Sequence, residues 1–427
     1  MMRPAVGIYD VVVIGGGLAG VTAALAARQQ NATVLLLEQA PQALRGGNTR
    51  HARNFRLAHD GPAPFIRGTY PAAEFAADLH SSADNAIDRQ IVAVLTAQSM
   101  TIADWLSRHG VALQRCAGGQ IPWSRKTAFF LGGGKTALNA LYAKAGKDGI
   151  EIAYRSEVIG IRLEGPFRTV FDIACCGQVR RVIGRAAIAC SGGYQANKAW
   201  LRECWGDAAD SFINRGTPYA TGTVLRLLRD LGAVLSGDPK ACHLVAVDAR
   251  APQHDGGIVT RIDGMAGGIV LDRRGRRLTL SDAIDGKEQF AALGRLIADC
   301  PGQIAYLLMT KEAARSRRPS HYPAIALADA GASDGIPDQV RQSAFSGPDT
   351  VAMPMRPGIS FTGYGLQTDT TARIIWSDGS NRGGFFAAGV IMAGTIIRSR
   401  YLSGLGATIS AVFGRIAGLE ASLYARN

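Results

Sequence analysis

Two arginines and a tyrosine stand in an otherwise apolar, glycine-rich stretch near the C-terminus, IIRSRYLSGLGA, residues 396–407. Charged side chains are rarely buried without a partner. The guanidinium's planar fork of donors matches a carboxylate. Arg398, Arg400 and Tyr401 are therefore a candidate grip on an anion, with Arg400 and Tyr401 as candidate catalytic groups and Arg398 as a substrate ligand. A second chemical signal lies near the N-terminus, where Gly15, Gly17 and Gly20 give G-x-G-x-x-G within IGGGLAG. Glycines at that spacing permit a tight turn, a close approach of backbone to a pyrophosphate, and close helix–strand packing.

These glycines need a strand before them and a helix after them. Tyr9 to Ile14 is a β-branched run typical of a buried parallel strand. The alanine-rich segment from Leu18 and Ala19 onward favours a helix, whose first N–H groups attract phosphate. TVLLLE then reads as a second strand closing on Glu38, 18 residues after Gly20, where an acid accepts hydrogen bonds from ribose hydroxyls. This unit suits either NAD or FAD. Residues 45–56, RGGNTRHARNFR, add four arginines and His51 without one acid. Beside a pyrophosphate site, such a loop suits phosphate and flavin edges.

Bulk properties narrow the class. The chain has 427 residues, 52 of them glycine, and a net charge of +13. That charge raises nucleic acid as a partner, but no lysine-rich tail, no basic run with interleaved aromatics and no zinc-finger spacing accompanies it, so none is expected. Seven irregularly spaced cysteines without a CxxC argue against a disulfide framework, a metal site or an iron–sulfur cluster, and fit reduced thiols in a cytoplasm. The uncharged run 11–27 is glycine-interrupted and follows Asp10, so it reads neither as a signal peptide nor as an integral membrane segment. GGGKTA at 132–137 imitates a phosphate loop, yet Phe129 stands where its first glycine belongs.

Six segments, in order along nearly the whole chain, resemble the FAD-dependent fumarate reductase/succinate dehydrogenase flavoprotein superfamily, and within it the tricarballylate dehydrogenases. They are GGGLAG with Glu38, GGNTRHARNF, FLGGGKTALNALYAKAGKDGIEIAYRSEVIGI, AAIACSGGYQANKAWLRECWG, NRGTPYATG, and GFFAAGVIMAG through GLGATISAVFGRIAG. The resemblance implies an α/β fold: a discontinuous Rossmann-like FAD-binding domain with an inserted α+β substrate-capping domain. The expected partition is 1–212, with 61–130 as a helical insertion, then 213–355 as the cap, and 356–427 as the returning part of the first domain. Residues 166–190 are expected to form a β-meander turning at CCGQ.

The resemblance implies noncovalent FAD and a small anionic substrate. It places Gly46, Gly47, Asn48, Thr49 and Arg50 in a flavin-contacting loop, Ser191, Gly192 and Gly193 in a turn beside the cofactor, and Gly389, Leu405 and Gly406 at the C-terminal flavin segment. His243 matches a substrate-facing histidine, and Arg215 and Tyr219 match a substrate-domain motif. In the resembling enzymes a hydride moves between flavin N5 and a substrate carbon. Electrons pass to a separate partner, for which an iron–sulfur protein is one candidate. One departure stands out. At 278–290, LTLSDAIDGKEQF replaces an acid-rich stretch ending in a basic or tyrosine pair, leaving Gln289 and Phe290 in that position and Lys287 as the nearest base. Glutamine cannot shuttle protons. The expected activity is thus an FAD-dependent oxidoreductase on a carboxylate-bearing metabolite. The alternative is a flavoprotein whose dehydrogenase chemistry is altered or lost and which serves electron transfer.

Overall fold

The computed structural model describes residues 7–83, 87–116, 124–256, 262, 268–280, 289–316, 324–327, 335–380, 382, 384–398 and 400–427. Strand β1 (Ile8–Ile14), helix α1 (Leu18–Gln29) and strand β2 (Val34–Glu38) form the opening unit. Strands β1 and β2 pair in parallel with Val13 opposite Leu36. The uncharged run 11–27 is thus a buried strand, a glycine turn and a helix whose residues 18–27 are all buried. No helix among the described residues is long and apolar enough to cross a membrane.

The chain then lays down β3 (Asn54–Arg56), α2 (Ala72–Ser82), α3 (Arg89–Ser99), α4 (Ile102–Arg108), β4 (Thr127–Phe129) and α5 (Gly133–Lys147). Four strands follow: β5 (Glu151–Tyr154), β6 (Ser156–Leu163), β7 (Thr169–Cys175) and β8 (Gln178–Ala189). The main sheet runs β5-β2-β1-β8-β7-β6, and Phe385–Ala387 joins β8 in parallel. The meander expected over 166–190 is present as β7 and β8, with Cys175 opposite Gln178 at the turn. Because β1, β2, β5, β8 and Phe385–Ala387 pair in parallel, their C-terminal ends share one edge. Ligands of open α/β sheets bind at that edge.

Two helices are locked against each other behind it. A Cβ on Gly414 would lie 2.6 Å from the Ala19 carbonyl oxygen, and one on Gly418 would lie 2.2 Å from that of Ala23. Both contacts advance in the same direction, so α1 and the C-terminal helix Leu405–Arg426 run parallel. Their N-termini therefore lie toward the same end of the sheet.

The chain divides into two compact units. The first holds residues up to Tyr194, then Tyr219–Ala241 and Thr362–Asn427, and the second holds Gln195–Pro218 and Cys242–Phe361. The expected 213–355 cap is thus interrupted. Helix Thr223–Asp230 buries Val224, Leu225 and Leu228, and Leu235–Ser236 pairs with Gly365–Leu366, which holds 219–241 in the first unit. The second unit is a mainly antiparallel sheet ordered 242–248, 350–362, 305–310, 269–272 and 277–278. Helix Gln289–Ala298 covers strand Cys242–Asp248 closely enough that a Cβ on Gly294 would lie 2.5 Å from Val245 backbone.

Replacing Gly418 by valine drives carbon into the Ala23 backbone, which cannot move independently of α1. Urea unfolding of Gly418→Val should show a loss of about 3 kcal/mol, whereas exposed Leu419→Ala on the same helix should change stability by less than about 0.5 kcal/mol.

Candidate functional site

The glycine turn divides its labour. Gly15 has φ of +105°, and a Cβ there would lie 2.5 Å from the Cys190 carbonyl oxygen. Gly20 is packed against the Gly15 carbonyl. These two hold strand and helix together. Gly17, at the N-cap of α1, has no neighbour closer than 3.7 Å to its hypothetical Cβ, and Gly47 and Gly192 face open space. Those three border room for a ligand.

The Leu18 N–H, at the start of α1, donates to the Thr49 hydroxyl at 3.0 Å. That oxygen keeps its own proton to donate onward, so it can bridge the helix N-terminus to a phosphate. Ala19 lies in the same turn, buried against Gly389. Gly46 is left-handed at φ +102°, turning the chain into the short helix Gly47–His51 that carries Asn48, Thr49 and Arg50. Arg50 reaches the Leu44 carbonyl at 3.4 Å. The phosphate-loop imitation at 132–137 has a packing role instead. The Gly134 N–H donates to the Ala52 carbonyl at 2.7 Å, and a Cβ there would strike the Thr49 carbonyl.

Glu38 ends β2, buried, and accepts from the backbone N–H groups of Ala40 at 2.8 Å and Gly46 at 3.1 Å. Burial pushes its pKa above the ordinary carboxylate value, while those N–H groups pull the other way. Further donors, such as ribose hydroxyls, would favour its ionised form. Two residues that local spacing did not single out complete this end. Tyr142 donates to the Gly16 carbonyl at 2.8 Å, and the Arg45 guanidinium lies 4.7 Å from the Tyr142 ring centroid.

Past β8, Ser191 presents a buried hydroxyl with no hydrogen-bond partner among the described residues, and Gly192 follows at φ +77° with buried Gly193 behind it. An orphaned buried hydroxyl is costly unless a ligand meets it. With open space at Gly47 and Gly192 and no clash at Gly17, it fits a dinucleotide along the strand-end edge. The C-terminal segment fits less openly. The Leu405 N–H donates to the Leu402 carbonyl at 3.0 Å, and the Gly406 N–H to the Tyr401 hydroxyl at 3.2 Å.

The two arginines of 396–407 part company. Arg400 is exposed, and its guanidinium donates to the Ser81 carbonyl at 2.6 Å while its N–H donates to the Ser82 carbonyl. A cation on the last carbonyls of α2 is a helix C-terminal cap. Tyr401 caps the C-terminal helix through Gly406, and burial raises its phenol pKa. Arg398 is different. Its Nε is buried without a hydrogen-bond partner among the described residues, and one terminal nitrogen sits 3.4 Å from the Ser236 hydroxyl. The loop before it is clamped, since a Cβ on Gly394 would lie 2.0 Å from the Ser236 carbonyl and one on Gly365 2.0 Å from that of Ile391.

In the second unit, Arg215 and His243 both address strand 350–362. Arg215 is buried and donates to the Ser360 hydroxyl at 2.7 Å, and the His243 ring stacks on Phe361 with centroids 5.6 Å apart. Tyr219 belongs to the first unit, where its carbonyl accepts from the Thr221 N–H. Lys287 lies outside the described residues, and Gln289 and Phe290 open the helix Gln289–Ala298.

Comparison with known proteins identifies the family. Residues 10–406 match the family described as FAD binding domain. The chain belongs to that family. It is an FAD-dependent oxidoreductase of the fumarate reductase/succinate dehydrogenase flavoprotein superfamily. A "Fumarate reductase (cytochrome)" of Shewanella frigidimarina is 25% identical over 458 residues, covering 98% of this chain and 77% of the relative. The open conformation of a flavocytochrome c3 fumarate reductase superposes with a TM-score of 0.77 at 21% identity, covering 98% of this chain and 79% of that one. A 3-ketosteroid-Δ4-(5α)-dehydrogenase from Rhodococcus jostii RHA1 has the same fold, with a TM-score of 0.72 at 18% identity and 97% of each chain covered.

One buried residue, read in the sequence only as one of four arginines in 45–56, ties that loop to the segment 403–408. Arg56 exchanges hydrogen bonds with the Thr408 hydroxyl through its N–H and carbonyl, at 2.9 and 2.6 Å. Its guanidinium donates to the Ser403 carbonyl, the Tyr70 hydroxyl and Asp78. Asp78 also takes Lys126 at 2.7 Å, and Tyr70, whose phenol pKa is raised by burial, donates to it at 2.6 Å. Arg56→Ala should lower stability by about 2–3 kcal/mol and weaken FAD retention, read by urea unfolding and by flavin fluorescence titration. Arg56→Lys, which keeps the charge but loses the fork, should recover part of the stability and little of the flavin affinity.

Proposed function

We propose that the protein oxidises or reduces a carbon–carbon bond of a small carboxylate-bearing metabolite, tricarballylate-like or a biosynthetic intermediate. Bound FAD supplies a hydride acceptor or donor at N5. The chain's residues do the rest. Glu38 takes the ribose hydroxyls, Thr49 and the first turn of α1 take the pyrophosphate, and Ser191 donates to the cofactor. Arg398 grips a substrate carboxylate. Tyr219, in the same unit as Arg398, supports that grip, and Arg215 and His243 stay candidate substrate groups of the second unit. The flavin is noncovalent, the enzyme works in the cytoplasm with reduced thiols, and a separate electron carrier completes the cycle.

The observation that carries this reading is the buried Arg398 Nε, which has no hydrogen-bond partner among the described residues, in the loop that leads into the C-terminal helix. A desolvated guanidinium donor is costly until an acceptor meets it, and a carboxylate makes the strongest such bond. The fumarate reductase named among the relatives acts on a substrate of that chemistry. Arg400 is reassigned here, from a catalytic role to the capping of α2. A second reading rests on Gln289, which stands where the resembling enzymes carry a basic or tyrosine group. It makes the protein an electron-transfer flavoprotein without a carboxylate substrate.

Anaerobic mixing of the FAD-loaded protein with di- and tricarboxylates separates the two. One carboxylate should bleach the flavin, or its unsaturated partner should reoxidise the reduced flavin. Arg398→Ala should then lower kcat/KM by about 100-fold, the equivalent of one charge-assisted hydrogen bond. Arg400→Ala should stay within about 3-fold, because its guanidinium caps the C-terminus of α2. Inertness toward every carboxylate would favour the electron-transfer reading. Bleaching by a saturated ketone alone, or reoxidation of the reduced flavin by its unsaturated partner alone, would overturn the anionic substrate.

A further inference from the structure

At the tip of the β7–β8 hairpin, Cys175 and Cys176 bring their sulfurs to 3.8 Å. Successive side chains of a strand point to opposite faces, which keeps neighbouring thiols apart. Cys176 escapes that rule because its φ is +53°, followed by Gly177 at +78°. These are the two left-handed central positions of the tight hairpin turn that favours Asn-Gly or Gly-Gly. A left-handed non-glycine residue costs about 1–2 kcal/mol, and cysteine lacks the side-chain carbonyl that lets asparagine recover part of it. Turn chemistry alone therefore does not account for Cys176. What the left-handed backbone does is swing its thiol back beside that of Cys175.

Cys176 is exposed and Cys175 half-buried, so both can be reached from solvent. Two thiolates bound to one soft centre at about 2.3 Å each sit about 3.8 Å apart at a tetrahedral angle and about 3.4 Å apart at the narrower angle of a pyramidal trivalent centre, so a small turn of the exposed Cys176 side chain closes the pair on such a centre. Structural zinc takes four protein ligands, and among the described residues no group of three or more His, Cys, Asp or Glu can hold a metal ion. A pair of thiols instead suits a trivalent centre that needs two sulfurs and carries its own third substituent.

We propose that Cys175 and Cys176 form a vicinal dithiol site for trivalent arsenicals. The step is a condensation without electron transfer. Two As–S bonds form, two As–OH bonds break, and each thiol proton leaves with a hydroxyl as water. The site is remote from the cofactor. Strand β8 runs from Gln178 at this turn to Ala189 beside the flavin edge, about 35 Å at the usual strand rise.

The FAD-loaded protein titrated with phenylarsine oxide tests this, with free thiols counted colorimetrically. One equivalent should protect two thiols, a dithiol such as dimercaptopropanol should release it, and an equal amount of monothiol should not. Cys175→Ser and Cys176→Ser should each weaken capture by about 100-fold through loss of the chelate, while Cys204→Ser and Cys242→Ser leave it intact. The flavin spectrum should not change on binding. Two thiols still protected in the Cys175→Ser/Cys176→Ser double variant, or no protection in the wild type, would overturn the site. So would an arsenical-induced flavin shift, which would place the reactive pair elsewhere.

Discussion

Ala19 and Ala23 of α1 leave room for nothing larger than hydrogen at Gly414 and Gly418. That steric constraint sets the rest of the cofactor side. It forces two helices to run parallel at near backbone contact, and parallel helices present their N-termini at the same end. There, the positive ends of two helix dipoles adjoin the C-terminal edge of a parallel sheet. Neither helix makes this arrangement alone, because each buries its apolar surface on the other. Gly389 extends the same contact, since a Cβ there would lie 2.8 Å from that of Ala19. The strand Phe385–Ala387, the loop after it and the C-terminal helix are thus fitted to α1 as one surface.

On that surface, hydrogen-bond accounting separates groups that hold the protein from groups that await a ligand. Arg56 and Arg400 have their donors directed at carbonyls, hydroxyls or Asp78 of the first unit. They fix the loop 396–407 and the α2 terminus. Ser191 and Arg398 retain a buried donor apiece with no partner among the described residues. Buried polar atoms left unsatisfied are rare and costly. In a member of an FAD-binding family, these are donors that the proposed cofactor and carboxylate would satisfy.

Much of the fold was legible in the sequence, and the reason is locality. Gly15 adopts a positive φ and Gly20 packs on the Gly15 carbonyl, demands set within a few residues, as are the strand before them and the acid that ends β2. The β7–β8 meander was readable from alternation and a glycine turn. The long-range choices were not. Arg398 and Arg400 are two residues apart and chemically identical, and only a contact with Ser81, 319 residues away, tells them apart. Arg56 looked like one arginine of a basic loop until Thr408, 352 residues on, closed on its backbone. The return of 219–241 to the first unit depends on pairing between Leu235–Ser236 and Gly365–Leu366, which no local pattern announces.

The proposed assignment puts FAD on the edge shared by α1 and the C-terminal helix and a carboxylate on Arg398. A crystal structure of the FAD-loaded protein with a bound dicarboxylate tests this most directly. Pyrophosphate should lie at Thr49 and the first turn of α1, a cofactor atom within hydrogen-bond reach of Ser191, and a substrate carboxylate on the Arg398 guanidinium. A carboxylate held on Arg400 with Arg398 turned away, or flavin density away from the strand-end edge, would contradict it.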